Sequence, residues 1–131
     1  MNKNILIVED DPFSQDFYRF IFKKAGYNAT IMEDGDEILK LLRTEKIGLC
    51  IMDINLKNTY LLGEKIDGMK LSRIIKQDEV TAGIPILLVT AYSKSVTQNR
   101  FIDESLAEDY ITKPIIDFNM LLNKVEQMIV N

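Results

Sequence analysis

The sequence predicts an α/β fold in which a five-stranded parallel sheet carries helices on both faces. Three observations lead there. Short apolar runs alternate with segments of helical periodicity along the 131 residues, the pattern of strands joined by crossover helices. Two of the runs, Ile5-Leu6-Ile7-Val8 and Leu49-Cys50-Ile51-Met52, are apolar without a break, as suits central strands covered on both faces. Both then meet acids, Glu9-Asp10-Asp11 and Asp53, at the strand ends where an open parallel sheet places its functional groups.

The elements follow in order. Ile5 to Val8 is the first strand, and Pro12 suits the first turn of a helix with Asp11 available as its N-cap. Phe13, Phe17, Phe20, Ile21 and Lys24 mark a face of that helix, which Gly26 closes. Tyr27 to Met32 alternates enough for a second strand, and Asp34-Gly35-Asp36 turns into a helix from Glu37 to Thr44 with Ile38, Leu41 and Leu42 inward. The third strand runs from Ile47 to Asp53, and a long polar loop follows it. Gly68 to Gln77 is a helix with Met69, Leu71, Ile74 and Ile75 on its apolar side. Gly83 and Pro85 frame the fourth strand, Ile86 to Val89, which ends on Thr90-Ala91. Ser93 or Ser95 caps a fourth helix reaching about Leu106, with Val96, Phe101, Ile102 and Leu106 as its apolar residues. Asp109 to Thr112 is a short fifth strand leading into Lys113-Pro114, and Asp117 to Val130 is a last helix with a broad apolar stripe.

The composition bounds the function. Hydrophobic residues make up 47% and charged residues 27%, as in ordinary globular domains, and one domain over 1–131 is expected at this length. The net charge is −4, and no Lys/Arg run offers a phosphate-backbone footprint, so direct nucleic-acid binding is not expected. No apolar run approaches the roughly 20 residues of a membrane span, and the four apolar residues before Glu9 are too few for a signal-peptide core. A cytoplasmic location without membrane contact is expected. Cys50 is the sole cysteine and sits in an apolar strand, which makes it a packing residue. Histidine is absent, and with it imidazole acid–base chemistry and imidazole metal ligands.

Because the strands of a parallel sheet point the same way, the carboxyl ends of the first, third, fourth and fifth gather Glu9, Asp10, Asp11, Asp53, Thr90 and Lys113 along one edge. Crowded carboxylates repel, and without a cation at least one has a raised pKa. A hard divalent ion offsets that cost, and Mg2+ combines one or two carboxylates with waters and phosphate oxygens. A lysine opposite the acids completes a site for an anion bound to metal.

Four segments, Ile5 to Pro12, Met52-Asp53-Ile54-Asn55, Pro85 to Ala91 and Asp109 to Pro114, in this order and spacing, resemble the receiver domains of two-component response regulators, the CheY-like family. The resemblance covers nearly the whole chain. It implies a flavodoxin-like doubly wound sheet of strand order 2-1-3-4-5. It implies that Asp53 accepts a phosphoryl group from phosphohistidine on a sensor histidine kinase or a histidine phosphotransfer protein. It implies that Mg2+ is held directly by Asp10, through water by Glu9, and by Asp53 and the backbone carbonyl of Asn55. Lys113, the Thr90 hydroxyl and the Ala91 amide bind the phosphoryl oxygens on this reading. Thr90 and Tyr110 form the switch, reshaping the face of the fourth helix, fifth strand and fifth helix for a downstream protein partner or for an output domain outside this sequence. Asn55 and Tyr92 occupy positions that tune hydrolysis of the aspartyl phosphate, a bulky Tyr92 shielding it from water. The Lys113-Pro114 peptide is expected to be cis. The chain is then a switch rather than an enzyme, with at most self-phosphorylation and self-dephosphorylation.

The chain departs from that family in two places. From Asp53 to Gly68 it takes about twice the usual distance, Lys57 stands where a proline is common, and residues 58–66 are an insertion with Tyr60-Leu61-Leu62 at its centre. Such a segment is either a tolerated surface loop, since added loop length costs little entropy, or a lip on the phosphorylation site or a partner contact. Leu106 stands where the family often closes the fourth helix with glycine. Other readings are a receiver-shaped interaction module that is never phosphorylated, and an aspartyl-phosphate phosphatase of the haloacid-dehalogenase type. The phosphatase usually needs a second acid two residues after the nucleophile, and that position is Asn55. A flavodoxin-like FMN carrier is disfavoured by Glu9-Asp10-Asp11, whose charges repel a cofactor phosphate.

Overall fold

The computed structural model of the chain describes residues 1–91, 100 and 102–131. The elements run β1 (Asn4–Val8), α1 (Pro12–Lys24), β2 (Asn28–Met32), α2 (Gly35–Thr44), β3 (Leu49–Asp53), β4 (Tyr60–Leu61), β5 (Glu64–Lys65), α3 (Gly68–Gln77), β6 (Ile86–Thr90), β7 (Asp109–Thr112) and a C-terminal helix, Phe118–Met128. Five of these strands pair in parallel in the order β2-β1-β3-β6-β7. With the short strands β4 and β5 set aside, this is the expected 2-1-3-4-5 sheet.

The unbroken apolar runs are explained by the pleat, which sends successive side chains to opposite faces. Leu6, Val8, Cys50, Met52, Ile86 and Leu88 pack on one face with Ile38 and Leu42 of α2 and Leu71 and Ile75 of α3. Ile5, Ile7, Leu49, Ile51, Leu87, Val89 and Ile111 pack on the other with Tyr18 and Phe22 of α1 and Leu121 and Val125 of the C-terminal helix. Cys50 is fully buried, and burial pushes its thiol up to about 12; it is a packing residue.

Several boundaries shift for local reasons. Asp34 caps α2 by accepting a hydrogen bond from the Glu37 amide, so the helix starts at Gly35 rather than Glu37. Asp11 and Asp117 cap α1 and the C-terminal helix in the same way, through the amides of Ser14 and Met120. In α1 the inward stripe is Tyr18, Ile21 and Phe22, at helical i, i+3, i+4 spacing. Phe13 and Phe20, expected on that stripe, are 87% and 66% exposed. Phe17 is half-buried against the same core, with its ring centroid 5.3 Å from that of Phe118.

The insertion is not a bare loop. β4 and β5 form an antiparallel hairpin closed by Leu62 and Gly63, at φ of 51° and 82°. Positive φ at both central residues matches the twist of tight hairpins. The turn puts a leucine where asparagine is the usual choice.

The fourth helix, expected from Ser93 or Ser95 to about Leu106, lies partly outside the described residues, as does Tyr92. Arg100 and residues 102–105 are helical. Leu106 ends this stretch at φ 62°, its amide donating to the Ile102 carbonyl at 3.0 Å. The left-handed turn that glycine would make without strain is therefore made by leucine, at a cost of roughly 1–2 kcal/mol. Leu106→Gly is expected to raise stability by about 0.5–1 kcal/mol, after the entropy glycine adds to the unfolded chain. A urea midpoint unchanged or lower in Leu106→Gly would show that the leucine side chain contributes more than its backbone costs.

Candidate functional site

The β3 strand ends on Asp53, which pairs in register with Val89, so β6 carries Thr90 one residue beyond it. The β7 strand sets Thr112 beside Thr90, and the Lys113 amide donates to the Thr90 carbonyl at 2.7 Å. This ladder brings Lys113 across to β3. Its Nζ lies 3.1 Å from Asp53 Oδ1 and 3.6 Å from Glu9 Oε1. The Lys113–Pro114 peptide is cis, as expected from the resemblance. Asp53 is buried, and the Asn55 amide also donates to its Oδ1, at 3.2 Å.

A cleft of about 680 Å³ opens over Asp53, lined by Asp10, Asn55, Lys57, Ala91 and Lys113 among others. Thr90 is buried beneath the strand ends rather than lining the cleft. Tyr110 is half-buried and packs on the core between the sheet and α2–α3. Tyr92 lies outside the described residues.

Glu9 sits deeper than an acid lining the cleft. It is fully buried, and its Oε2 accepts hydrogen bonds from the amides of Asp10 and Asp11 at 3.0 and 3.3 Å. Its Oε1 has no hydrogen-bond partner among the described residues. Burial first, then a shared proton and charge repulsion with Asp53, push Glu9 up to about 7, while Lys113 opposes the rise. Without a divalent cation the folded protein therefore holds a proton on Glu9 that the unfolded chain, with a value near 4.5, releases earlier. Stability is expected to fall as pH rises from about 4.5 to about 7, and to level off above that. The loss is about 3 kcal/mol at ~1.4 kcal/mol per unit. Urea unfolding in EDTA at pH 5 and pH 7.5 measures it, and Glu9→Gln is expected to flatten the profile; an equally steep profile in that variant assigns the effect elsewhere.

Asp10 is half-buried, and its carboxylate is held by Lys57 and the first residues of the insertion. The Lys57 and Asn58 amides each donate to Oδ2 at 2.7 Å, and the Thr59 hydroxyl donates to the same oxygen at 3.2 Å. Among the described residues no cluster of three or more His, Cys, Asp or Glu side chains is drawn together tightly enough to enclose a metal ion. Mg2+ does not require one, because it takes one or two carboxylates and completes its shell with carbonyls and water. The orphaned Glu9 Oε1 and the oxygen donors of Asp10, Asp53 and Asn55 are the hard donor set this ion takes, so the residues fit it.

Sequence reasoning missed Thr59. It is fully buried, yet in the sequence it is one hydroxyl in a polar stretch, and nothing local marks its partner.

The family model of the response regulator receiver domain matches residues 5–126. The polar-differentiation response regulator DivK of Brucella ovis is 31% identical over 115 residues, 88% of this chain and 87% of the relative. The CheY-like receiver domain protein of Methanospirillum hungatei JF-1 is 28% identical, with a TM-score of 0.77 over 97% of this chain and 93% of that one. The receiver domain of the sensor histidine kinase PA1611 from Pseudomonas aeruginosa PAO1 is 23% identical, with a TM-score of 0.80 over 98% of each chain. That protein was crystallised with a magnesium ion coordinated in its active site cleft.

Proposed function

The chain belongs to the response regulator receiver domains, a family of phosphorylation-activated signalling switches, and from that membership we propose that Asp53 is its phosphoacceptor. The observation that carries this reading is the buried Asp53 carboxylate, with Lys113 Nζ 3.1 Å from Oδ1, under a cleft shared with Asp10, Asn55 and Ala91.

The donor is phosphohistidine on a sensor histidine kinase or a histidine phosphotransfer protein. An Asp53 carboxylate oxygen attacks phosphorus, the P–N bond breaks, and its electron pair returns to the imidazole nitrogen, which takes up a proton. Such transfers rest on positioning and charge stabilisation more than on covalent chemistry by the protein. Lys113 pairs with the phosphoryl oxygens, which the Thr90 hydroxyl and the Ala91 amide also bind. Mg2+, when bound, neutralises charge on those oxygens; Asp10, Asp53 and the Asn55 carbonyl would hold it, with Glu9 acting through water. Asn55 and Tyr92 tune how long the aspartyl phosphate lasts.

The output is a change of partner affinity. Thr90 and Tyr110 move together and reshape the face formed by the helical residues before Leu106, β7 and the C-terminal helix, so that a local charge change biases a two-state element. A downstream protein, or an output domain outside this sequence, reads that face. A cytoplasmic setting, where the kinase presents its phosphohistidine, belongs to the same reading.

The test is exposure of the protein to a small phosphodonor or beryllofluoride, with and without Mg2+. One Mg2+-dependent adduct per chain is expected. Its absence would favour a receiver-shaped interaction module that is never phosphorylated.

A further inference from the structure

The insertion is anchored at three points, the first of them on the site. At its start, the Asn58 amide and the Thr59 hydroxyl, with the Lys57 amide just before them, converge on Asp10 Oδ2. In its middle, the hairpin lies against the start of α2, with the Leu62 amide donating to the Asp36 carboxylate at 3.2 Å, and a Cβ on Gly35 would come within 2.5 Å of the Tyr60 carbonyl oxygen. At its base, the Ile66 amide donates to the Thr59 carbonyl at 2.9 Å. Thr59 is thus tied by its backbone to the base of the hairpin and by its side chain to Asp10, and it is fully buried while doing so.

All three donors meet one carboxylate oxygen. Among the described residues no protein group donates to the other, Oδ1. A carboxylate turns about its Cβ–Cγ bond, and three donors on Oδ2 hold that turn in one place while leaving Oδ1 for another ligand. Mg2+ demands near-ideal octahedral geometry, so an oxygen held in place binds it better than one that must be ordered on binding. Hydrogen-bonded partners of metal-ligating carboxylates act in this way, and their loss typically weakens metal affinity by about 10- to 100-fold.

We propose that Thr59 is a positioning residue for Mg2+, holding Asp10 through Oδ2 so that Oδ1 is presented to the ion, and that the insertion exists in part to supply it. The inference rests on the reading of Asp10 as a Mg2+ ligand. It commits to cooperation between insertion and ion, in contrast to a latch in which the loop amides and the ion compete for Asp10.

The experiment is calorimetric titration of the full chain with Mg2+, for the native protein, Thr59→Val, Thr59→Ser and Asp10→Asn, with unfolding in EDTA as a check of folding. Thr59→Val keeps the shape and loses the donor; two backbone amides remain, so binding weaker by about tenfold, the low end of that range, is expected. Thr59→Ser restores the hydroxyl and is expected to bind like the native protein, a rescue that a purely structural role for the methyl group would not produce. Amide hydrogen exchange on the native protein tests the same point without any variant: Lys57 and Asn58 are expected to keep their protection when Mg2+ binds. Affinity in folded Thr59→Val equal to or tighter than native, or faster exchange at Lys57 and Asn58 on adding Mg2+, overturns the proposal and points to competition. A native chain that does not bind Mg2+, or an Asp10→Asn variant that binds it normally, overturns the assignment of Asp10 itself and the inference with it.

Discussion

Asp53→Asn is expected to lose all Mg2+-dependent labelling by a small phosphodonor and, in EDTA at pH 7.5, to be more stable than the native protein. The first effect is chemical, since an amide lacks the anionic oxygen that attacks phosphorus. The second is electrostatic. Asp53 contributes to the rise of Glu9 to about 7, both by sharing its proton and by its charge. Replacing it with a neutral amide removes that repulsion and keeps the opposing charge of Lys113 Nζ, 3.6 Å from Glu9 Oε1. A gain of about 1 kcal/mol is expected, the scale of one pKa unit relieved at Glu9. Intact-mass measurement reads the adduct and urea unfolding reads the stability. Labelling at the native level would place the phosphoacceptor elsewhere, and a variant less stable than native would mean that Asp53 is held more by its donors than it is repelled by Glu9.

Gly68→Ala is expected to cost about 3 kcal/mol or more and to slow phosphodonor labelling. The loop that carries the insertion leaves β3 after Asp53 and returns at Gly68, whose amide donates to the Ile54 carbonyl at 3.1 Å. A Cβ there would lie 1.9 Å from the Asp53 carbonyl oxygen, 2.7 Å from its carbon and 2.9 Å from Ile54 Cα. These are backbone atoms, so no rotamer change relieves the overlap, and either α3 or the end of β3 has to move. Overpacking of this kind costs about 1–3 kcal/mol where side chains can yield, and more where they cannot. Moving β3 also moves Asp53 relative to Lys113, and a displacement of about 1 Å can cost a factor of about 100 in rate. Gly63→Ala is the control: no atom lies within 4 Å, so only its φ of +82° is penalised, and labelling is expected to be unchanged. A Gly68→Ala protein as stable as Gly63→Ala would show that α3 adjusts without strain.

The strands were the legible part of the fold. A central strand of a doubly wound sheet buries both faces, so Ile5 to Val8 and Ile86 to Val89 are continuous apolar runs, and the acids and hydroxyl that follow mark where each strand ends. Helix faces were harder. Phe13 and Phe20 look like core residues by type, yet the helical period places Tyr18, Ile21 and Phe22 inward. The hairpin was hidden for another reason: strands of two residues are too short to show alternation, and Leu62-Gly63 is not the asparagine–glycine pair that announces such a turn.

By itself the sequence determined the sheet and the identity of the residues at its carboxyl edge, because hydrophobic periodicity and strand ends are local properties of a chain. Only the tertiary structure decided how those residues are used. It sank Glu9 into the core with one oxygen lacking a hydrogen bond among the described residues, set Lys113 against Asp53, and gave Asp10 three donors lying 47 to 49 residues further along the chain. Hydrogen bonds and charges act through space at a few ångströms, and no local pattern encodes which distant amide comes within reach of which carboxylate oxygen.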